Sequence, residues 1–232
     1  AVLTSGRLIL HLRNHTIMAI DAMTGKIFWS YQRSVTFSST LQRVSKVLPY
    51  DNSLIVGFAD GYIASLSLEE GILNWEQRIS SGVKFVDVDV EPIYFNGKIV
   101  AGSAAGQMKF LDPKNGFVIK SVDIVQSHKP VIDNDELIVG TVFGEITKVG
   151  KEGNIIDRKK LSDVGISGIT KWKDRYVVTT MGEKVYFLNK DFSPYAEFNL
   201  GHDQSAIFGD VAVSNEGHIV FYSSRNRLYT IK

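Results

Sequence analysis

The sequence predicts an all-β protein, a β-propeller built from six repeat units of four-stranded antiparallel blades. Three observations lead to this prediction: a motif that recurs at the spacing of a blade, two turns within each repeat, and no ten-residue stretch with a helical apolar period. Twenty glycines, thirteen phenylalanines and nine tyrosines against five prolines also favour short strands joined by tight turns.

The recurring motif is a small turn followed by alternating apolar residues. Its copies end at Ile20, Leu66, Leu111, Val149, Leu188 and Ile231, so the steps are 46, 45, 38, 39 and 43 residues. Propeller blades repeat at this spacing. Because neighbouring blades bury each other's faces, we expect one domain over residues 1–232. Its units span about 1–34, 35–81, 82–125, 126–162, 163–201 and 202–232.

Each unit has an apolar segment before the motif's turn, and these segments are predicted as strands: Ser53 to Phe58, Lys98 to Gly102, Glu136 to Gly140, Arg175 to Thr179 and His218 to Tyr222. A second turn with a glycine then begins an outer strand, at Thr24-Gly25, Glu70-Gly71, Asn115-Gly116 and Glu152-Gly153. The last unit reaches Lys232 directly after its third strand. We therefore expect the last blade to lack one strand.

Composition excludes several functional classes. The chain is 44% hydrophobic and 22% charged with a net charge of +1, which argues against disorder and against electrostatic binding of nucleic acid. It has no cysteine, so disulfides and thiol nucleophiles are excluded. The five histidines show no metal-ligand spacing, and no nucleotide-binding or nucleophile-elbow motif occurs. We expect no metal, no cofactor and no enzymatic activity.

Three stretches resemble known repeat and family sequences. The stretch Ala19 to Trp29 is similar to the PQQ-type propeller repeat in its acidic, glycine and tryptophan positions. The more specific stretches are Asp60 to Ser80 and Asp87 to Gly97, which resemble the BamB family of outer-membrane assembly lipoproteins. The resemblance covers all 232 residues, is strongest from about residue 50 to 120, and weakens after 150.

The resemblance implies a non-catalytic scaffold of the outer-membrane β-barrel assembly machinery, on the periplasmic side of the outer membrane of a Gram-negative bacterium. Its implied partners are BamA, other subunits of the machinery and unfolded outer-membrane proteins, and its implied membrane link is a lipidated cysteine. The family has eight blades and that cysteine, whereas these residues hold six units and no cysteine. The units match the last six of the family.

The family contacts BamA through two neighbouring inter-blade loops. One carries an Asp-x-Asp element before a proline, which corresponds to Asp87 and Asp89. The other carries a Leu-x-Leu-Arg element, which corresponds to Leu41 and to Arg43 one position late. Alternate residues of an extended segment point the same way, so we expect the two aspartates to present their carboxylates side by side to a cationic group. A turn cap or a solvated loop is the alternative interpretation.

Trp29 and Trp75 occupy the same position of the repeat, where the third unit has Lys120. A large aromatic side chain at this position is expected to pack adjacent blades together. A sugar-stacking role would need both rings to line one exposed groove, which equivalent outer-strand positions do not provide.

Two other functions stay open. A periplasmic quinoprotein-type propeller enzyme is one alternative, although its family members need calcium ligands and a vicinal cysteine pair against the quinone. A general peptide-binding adaptor propeller is the other.

Overall fold

The computed structural model describes residues 1–35, 44–82, 85–103, 106–202 and 204–232. In these ranges all regular structure is β-strand, which confirms the all-β prediction. The strands form six consecutive antiparallel sheets, numbered here 1 to 6, and each sheet lies within one of the six repeat units. A search of the same ranges for a helix able to cross a membrane finds none.

The chain divides into two compact units, and the first, Ala1–Gln126, contains sheets 1 to 3. In each sheet the strands pair in sequence order. Sheet 1 comprises β1 Val2–Thr4, β2 Arg7–His11, β3 Thr16–Asp21 and β4 Ile27–Gln32. Sheet 2 comprises β5 Leu48–Tyr50, β6 Ser53–Gly57, β7 Tyr62–Ser67 and β8 Leu73–Arg78. Sheet 3 comprises β9 Ile93–Phe95, β10 Lys98–Ser103, β11 Gly106–Leu111 and β12 Val118–Val122.

The second unit, Ser127–Lys232, contains sheets 4 to 6. Sheet 4 comprises β13 Val131–Asp133, β14 Glu136–Gly140, β15 Glu145–Gly150 and β16 Ile155–Lys160. Sheet 5 comprises β17 Ile166–Trp172, β18 Arg175–Thr180, β19 Lys184–Leu188 and β20 Pro194–Asn199. Sheet 6 comprises β21 Ala212–Val213, β22 Ile219–Tyr222 and β23 Leu228–Ile231. It has three strands in the described ranges, as expected for the last repeat. That all 232 residues form a single domain stays a prediction.

Burial explains why the strands form where the sequence indicates them. In sheets 2 to 5 the second strand is almost entirely buried, so it is a mostly apolar run such as Leu54 to Val56, whereas β2 of sheet 1 has only Ile9 fully buried. The fourth strand is mostly exposed and alternates, as in β8. The predicted second strands start or end within one residue of the observed ones, for example at β6, β14 and β22.

The two tryptophans connect neighbouring sheets in the first unit. The indole N–H of Trp29 in β4 donates to the carbonyl of Leu68, 3.0 Å away, in the turn after β7. Its ring lies against Gly71, where an added Cβ would be 2.4 Å from the ring. Gly71 and Gly116 have positive φ, as the predicted turns require.

Trp75 makes the same contacts one repeat later. Its indole N–H donates to the carbonyl of Pro113 at 3.0 Å, and a Cβ at Gly116 would lie 2.4 Å from its ring. Each ring therefore packs on the turn that precedes the outer strand of the next sheet. These are the contacts that a role in blade packing needs.

An extra residue interrupts the pairing of the fourth strand in all five four-stranded sheets. In sheet 1, Ala19 pairs with Trp29 and Ile20 with Ile27, so Phe28 faces no residue of β3. The register shifts at the same place in the other four sheets. These shifts are β-bulges, and their extra residues are Phe28, Asn74, Ile119, Ile156 and Tyr195.

Two partly buried histidines have pKa values well below the usual range. His11 in β2 lies edge-on to Phe58, with ring centroids 5.6 Å apart, and its Nδ1–H donates to the Ser45 carbonyl at 2.9 Å. Burial lowers the pKa of His11 to about 4. In the second unit, the His128 ring lies against Gly140, and burial lowers the pKa of His128 to about 4.

The packing of Trp75 is tested by Trp75→Ala. Loss of the ring leaves a void against Gly116 and removes the hydrogen bond to Pro113, so we expect the free energy of unfolding to fall by about 2–4 kcal/mol. Lys120→Ala changes the equivalent exposed position of sheet 3, and we expect an effect within about 0.5 kcal/mol. Urea unfolding measures both. Equal effects of the two substitutions would contradict the packing role.

The two histidines predict acid sensitivity. Their folded-state pKa is depressed, so between pH 6.5 and 4 the unfolded chain binds protons that the folded chain does not. The stability that the two neutral histidines contribute is therefore fully present above pH 6.5. By pH 4, protonation of each histidine in the unfolded chain lowers the free energy of unfolding by roughly 3 kcal/mol. Urea unfolding at several pH values measures the slope. His11→Phe should reduce the slope by about half, because His128 remains, whereas His202→Gln, at an exposed residue, should leave it unchanged.

Candidate partner-binding site

The segment that carries the predicted aspartates connects β8 of sheet 2 to β9 of sheet 3. In its described part, residues 85–91, it packs on the end of β6. The N–H of Val88 donates to the carbonyl of Phe58 at 3.0 Å. A Cβ at Gly57 would lie 2.2 Å from the Val88 carbonyl oxygen, so only glycine permits this approach.

This packing buries one of the two aspartates. Asp87 is only 2% exposed, so the prediction that Asp87 and Asp89 present their carboxylates side by side to a cationic group is wrong for Asp87. The physical reason is that the connection packs closely against sheet 2 through Val88, and this packing also buries the neighbouring Asp87. Whether either aspartate binds a partner stays a prediction.

The buried carboxylate has an electrostatic neighbour in His15, which is itself fully buried. Burial lowers the pKa of His15, and the negative charges of Asp60 and Asp87 partly oppose that effect. Asp87 therefore belongs to the interior charge arrangement of the first unit.

The expected pair of acidic side chains on one exposed face of the connection is present, but it consists of Asp89 and Glu91 instead of Asp87 and Asp89. Val88 and Val90 are buried, whereas Asp89 and Glu91 are both partly exposed. The Glu91 carboxylate lies 3.6 Å from the Lys46 ammonium, which is largely exposed. Phe85, at the start of the described segment, is 48% exposed with a positive φ. The surface of the connection thus combines carboxylates with an aromatic ring.

Leu41 and Arg43, the other two predicted partner-binding residues, lie outside the described residues. The described chain resumes at Val44, and Ser45 next to it is buried, where its hydroxyl accepts a hydrogen bond of 3.0 Å from the Gly57 N–H. Residues 44–46 and the connection 85–91 therefore meet at the same end of β6.

A charged cluster beside the site was not predicted from the sequence. Arg33, just after β4, contacts the carboxylates of Asp60 and Glu76, both at 2.6 Å. Its guanidinium also lies over the rings of Phe58 and Tyr62, at 5.2 and 4.6 Å. Burial opposes the charge of Arg33, but the hydrogen bonds to the two carboxylates outweigh it and raise the pKa. This cation links sheet 1 to sheet 2.

The position of Arg33 gives a weak sequence signal. Arg33 follows the outer strand of one repeat, and Asp60 lies in the turn of the next repeat. The sequence predicts their ion pair only if neighbouring blades are assumed to be in contact.

In the described residues, no group of three or more histidines and acids is arranged to hold a metal ion.

Comparison with known proteins identifies the family. The profile of a family described as outer membrane protein assembly factor BamB matches residues 1–129, more than half of the chain. The matched range contains sheets 1 to 3 and the connection 85–91.

Individual relatives are distant. BamB of Yersinia pestis is 24% identical over 177 residues, which cover 74% of this chain and 41% of that protein. The chain thus spans less than half the length of this relative. The quinoprotein alcohol dehydrogenase PedH of Pseudomonas putida is 27% identical over 157 residues, 66% of this chain and 23% of that protein.

The solved structure of BamB from Moraxella catarrhalis superposes with a TM-score of 0.80 at 20% identity. The superposition covers 98% of this chain and 70% of that structure. It confirms the predicted β-propeller fold. Taken with the profile match over residues 1–129, these findings show that the chain belongs to the BamB family of outer membrane protein assembly factors.

Proposed function

We propose that this chain acts as a non-catalytic scaffold in the assembly of outer-membrane β-barrel proteins and docks to BamA, at the periplasmic side of the outer membrane. The observation that carries this proposal is the family match over residues 1–129, which includes the connection 85–91. Relatives named as outer membrane protein assembly factors support the same role.

The described chemistry of the connection suits a cationic partner. Asp89 and Glu91 reach solvent on alternate residues, and Phe85 offers an exposed ring next to them. Carboxylates recognise arginine or lysine on a partner through charge-assisted hydrogen bonds, and aromatic residues often carry much of the binding energy of an interface. In this proposal, Asp89 contacts BamA directly.

Asp87 has a different part in the proposal. Because it is buried, it supports the connection from the interior rather than touching the partner. Leu41 and Arg43, which lie outside the described residues, complete the proposed docking surface. Binding through these loops orients BamA relative to a rigid β-sheet framework, and unfolded outer-membrane proteins are the proposed clients.

One substitution at each aspartate distinguishes the proposed binding role of Asp89 from the structural role of Asp87. We expect Asp89→Lys to weaken binding to BamA by about 2–5 kcal/mol, the cost of losing a desolvated charge pair. Asp87→Asn should instead lower the free energy of unfolding by roughly 1–3 kcal/mol, because it disturbs a buried polar arrangement. Co-purification with BamA from the same genome, together with thermal unfolding, measures both effects.

Asp163→Lys provides the matched control. Asp163 is exposed on the connection between sheets 4 and 5, and its reversal changes the net charge by the same amount. It should leave BamA binding intact. Undiminished binding by Asp89→Lys would refute this docking surface. Equal losses in Asp89→Lys and Asp163→Lys would show that the change in net charge, and not the position of Asp89, weakens binding.

The similarity to PedH favours one alternative, a quinoprotein-type enzyme. A vicinal cysteine pair against the quinone is expected of such enzymes, and this chain has no cysteine. Adding pyrroloquinoline quinone with calcium and an alcohol tests the alternative. We expect no change in quinone absorbance and no alcohol oxidation, and a turnover dependent on both additions would replace the scaffold proposal.

A further inference from the structure

The bulge of sheet 2 differs chemically from the bulges of the other four-stranded sheets. The extra residue is Phe28, Ile119, Ile156 or Tyr195 in those sheets, and each is a large side chain between 46% and 58% exposed. In sheet 2 it is Asn74, which is smaller and polar. The position that a larger, mostly apolar side chain occupies elsewhere therefore holds a smaller polar side chain in sheet 2.

A second position changes together with the first. In sheets 1 and 5 an arginine at the start of the second strand covers the bulge residue, Arg7 over Phe28 at 4.9 Å and Arg175 over Tyr195 at 3.9 Å. The equivalent residue of sheet 2 is Ser53. The Asn74 amide donates to Ser53 and to the buried Ser65, both at 3.2 Å. Small polar residues thus replace an aromatic ring and a guanidinium.

These replacements open a groove of about 450 Å³ in the first unit. Ser53, Ser65, Ser67 and Asn74 line its floor with hydroxyl and amide groups. Trp75 supplies aromatic surface, as does Tyr50, which stacks on Tyr94 with centroids 4.6 Å apart. Asp51 and Lys114 bring opposite charges, so the groove has no net charge.

We propose that this groove binds a pyranose unit of a neutral saccharide. A sugar ring has apolar C–H faces that pack on aromatic rings, and its hydroxyls both donate and accept hydrogen bonds, as serine hydroxyls and asparagine amides do. A neutral ligand suits a groove whose two charges cancel, and an extended anion would meet the Asp51 carboxylate. Trp29 does not line this groove, so the two tryptophans do not share a sugar site, and Tyr50 is the second aromatic residue beside Trp75.

The groove and the proposed BamA surface lie at opposite ends of one strand. Ser53 begins β6 and lines the groove, whereas Gly57 ends β6 and contacts the connection 85–91. At about 3.3 Å per residue the two ends are roughly 13 Å apart. Saccharide and protein partner can therefore bind together, and the saccharide proposal is independent of the proposed docking function.

Calorimetry and saturation-transfer NMR with two probes test this proposal, a tetramer of N-acetylglucosamine and maltotetraose. We expect saturable binding of at least one probe, with a Kd of about 1 mM or lower, and preference between them distinguishes an N-acetylated glycan from a plain glucan. Asn74→Phe copies the bulge of sheet 1 and should weaken binding by about tenfold or more. Ile119→Phe adds an equal ring at the bulge of sheet 3 and should leave binding unchanged.

Ser53→Arg is the second groove-filling variant, since arginine occupies this position in sheets 1 and 5, and it keeps the test decisive if Asn74→Phe does not fold. Failure of both probes to bind, or binding unaffected by a folded groove-filling variant, would overturn the proposal. So would binding of a short arginine- and tyrosine-containing peptide in place of the saccharides, which would identify the groove as a protein contact. None of these results depends on BamA.

Discussion

The close approach of neighbouring sheets is the constraint on which the rest of the structure depends. At Gly57 a connecting backbone takes the space of a Cβ, and at Gly71 and Gly116 a tryptophan ring takes it. In the second unit Gly140 has the same relation to Ile166. A sheet with one open face is not stable alone, so within each unit these contacts let neighbouring sheets cover each other's apolar faces.

This constraint separates the residues available for packing from those available for recognition. In sheet 2 the second and third strands are almost entirely buried, and their side chains are committed to the interior. The bulges of the outer strands and the connections between sheets carry exposed side chains instead. Sequence changes at these places, such as Asn74 at a bulge or Asp89 on a connection, alter the surface without disturbing the stacked sheets.

Local pattern was enough to predict the sheets but not the orientation of the connections. Apolar runs and glycine turns place β6, β14 and the positive-φ turn at Gly71 because these depend on residues close in sequence. The burial of Asp87 depends on a contact with Gly57, thirty residues earlier, which alternation alone does not reveal. The role of Asn74 is not predicted from the sequence for a related reason. A bulge shifts the alternation by one residue, and only the pairing register of the strands identifies Asn74 as the extra residue.

The tryptophan hydrogen bonds also order events on the ribosome. Trp29 and Trp75 donate to carbonyls 39 and 38 residues further along the chain. An outer strand therefore cannot reach its final arrangement until the nascent polypeptide has grown by nearly one more repeat. Domains form from the N-terminus during translation at about 5–20 residues per second, so consolidation of each sheet trails its synthesis by roughly 2–8 seconds. During that interval the most recently made sheet is the one that chaperones and proteases encounter with an uncovered face.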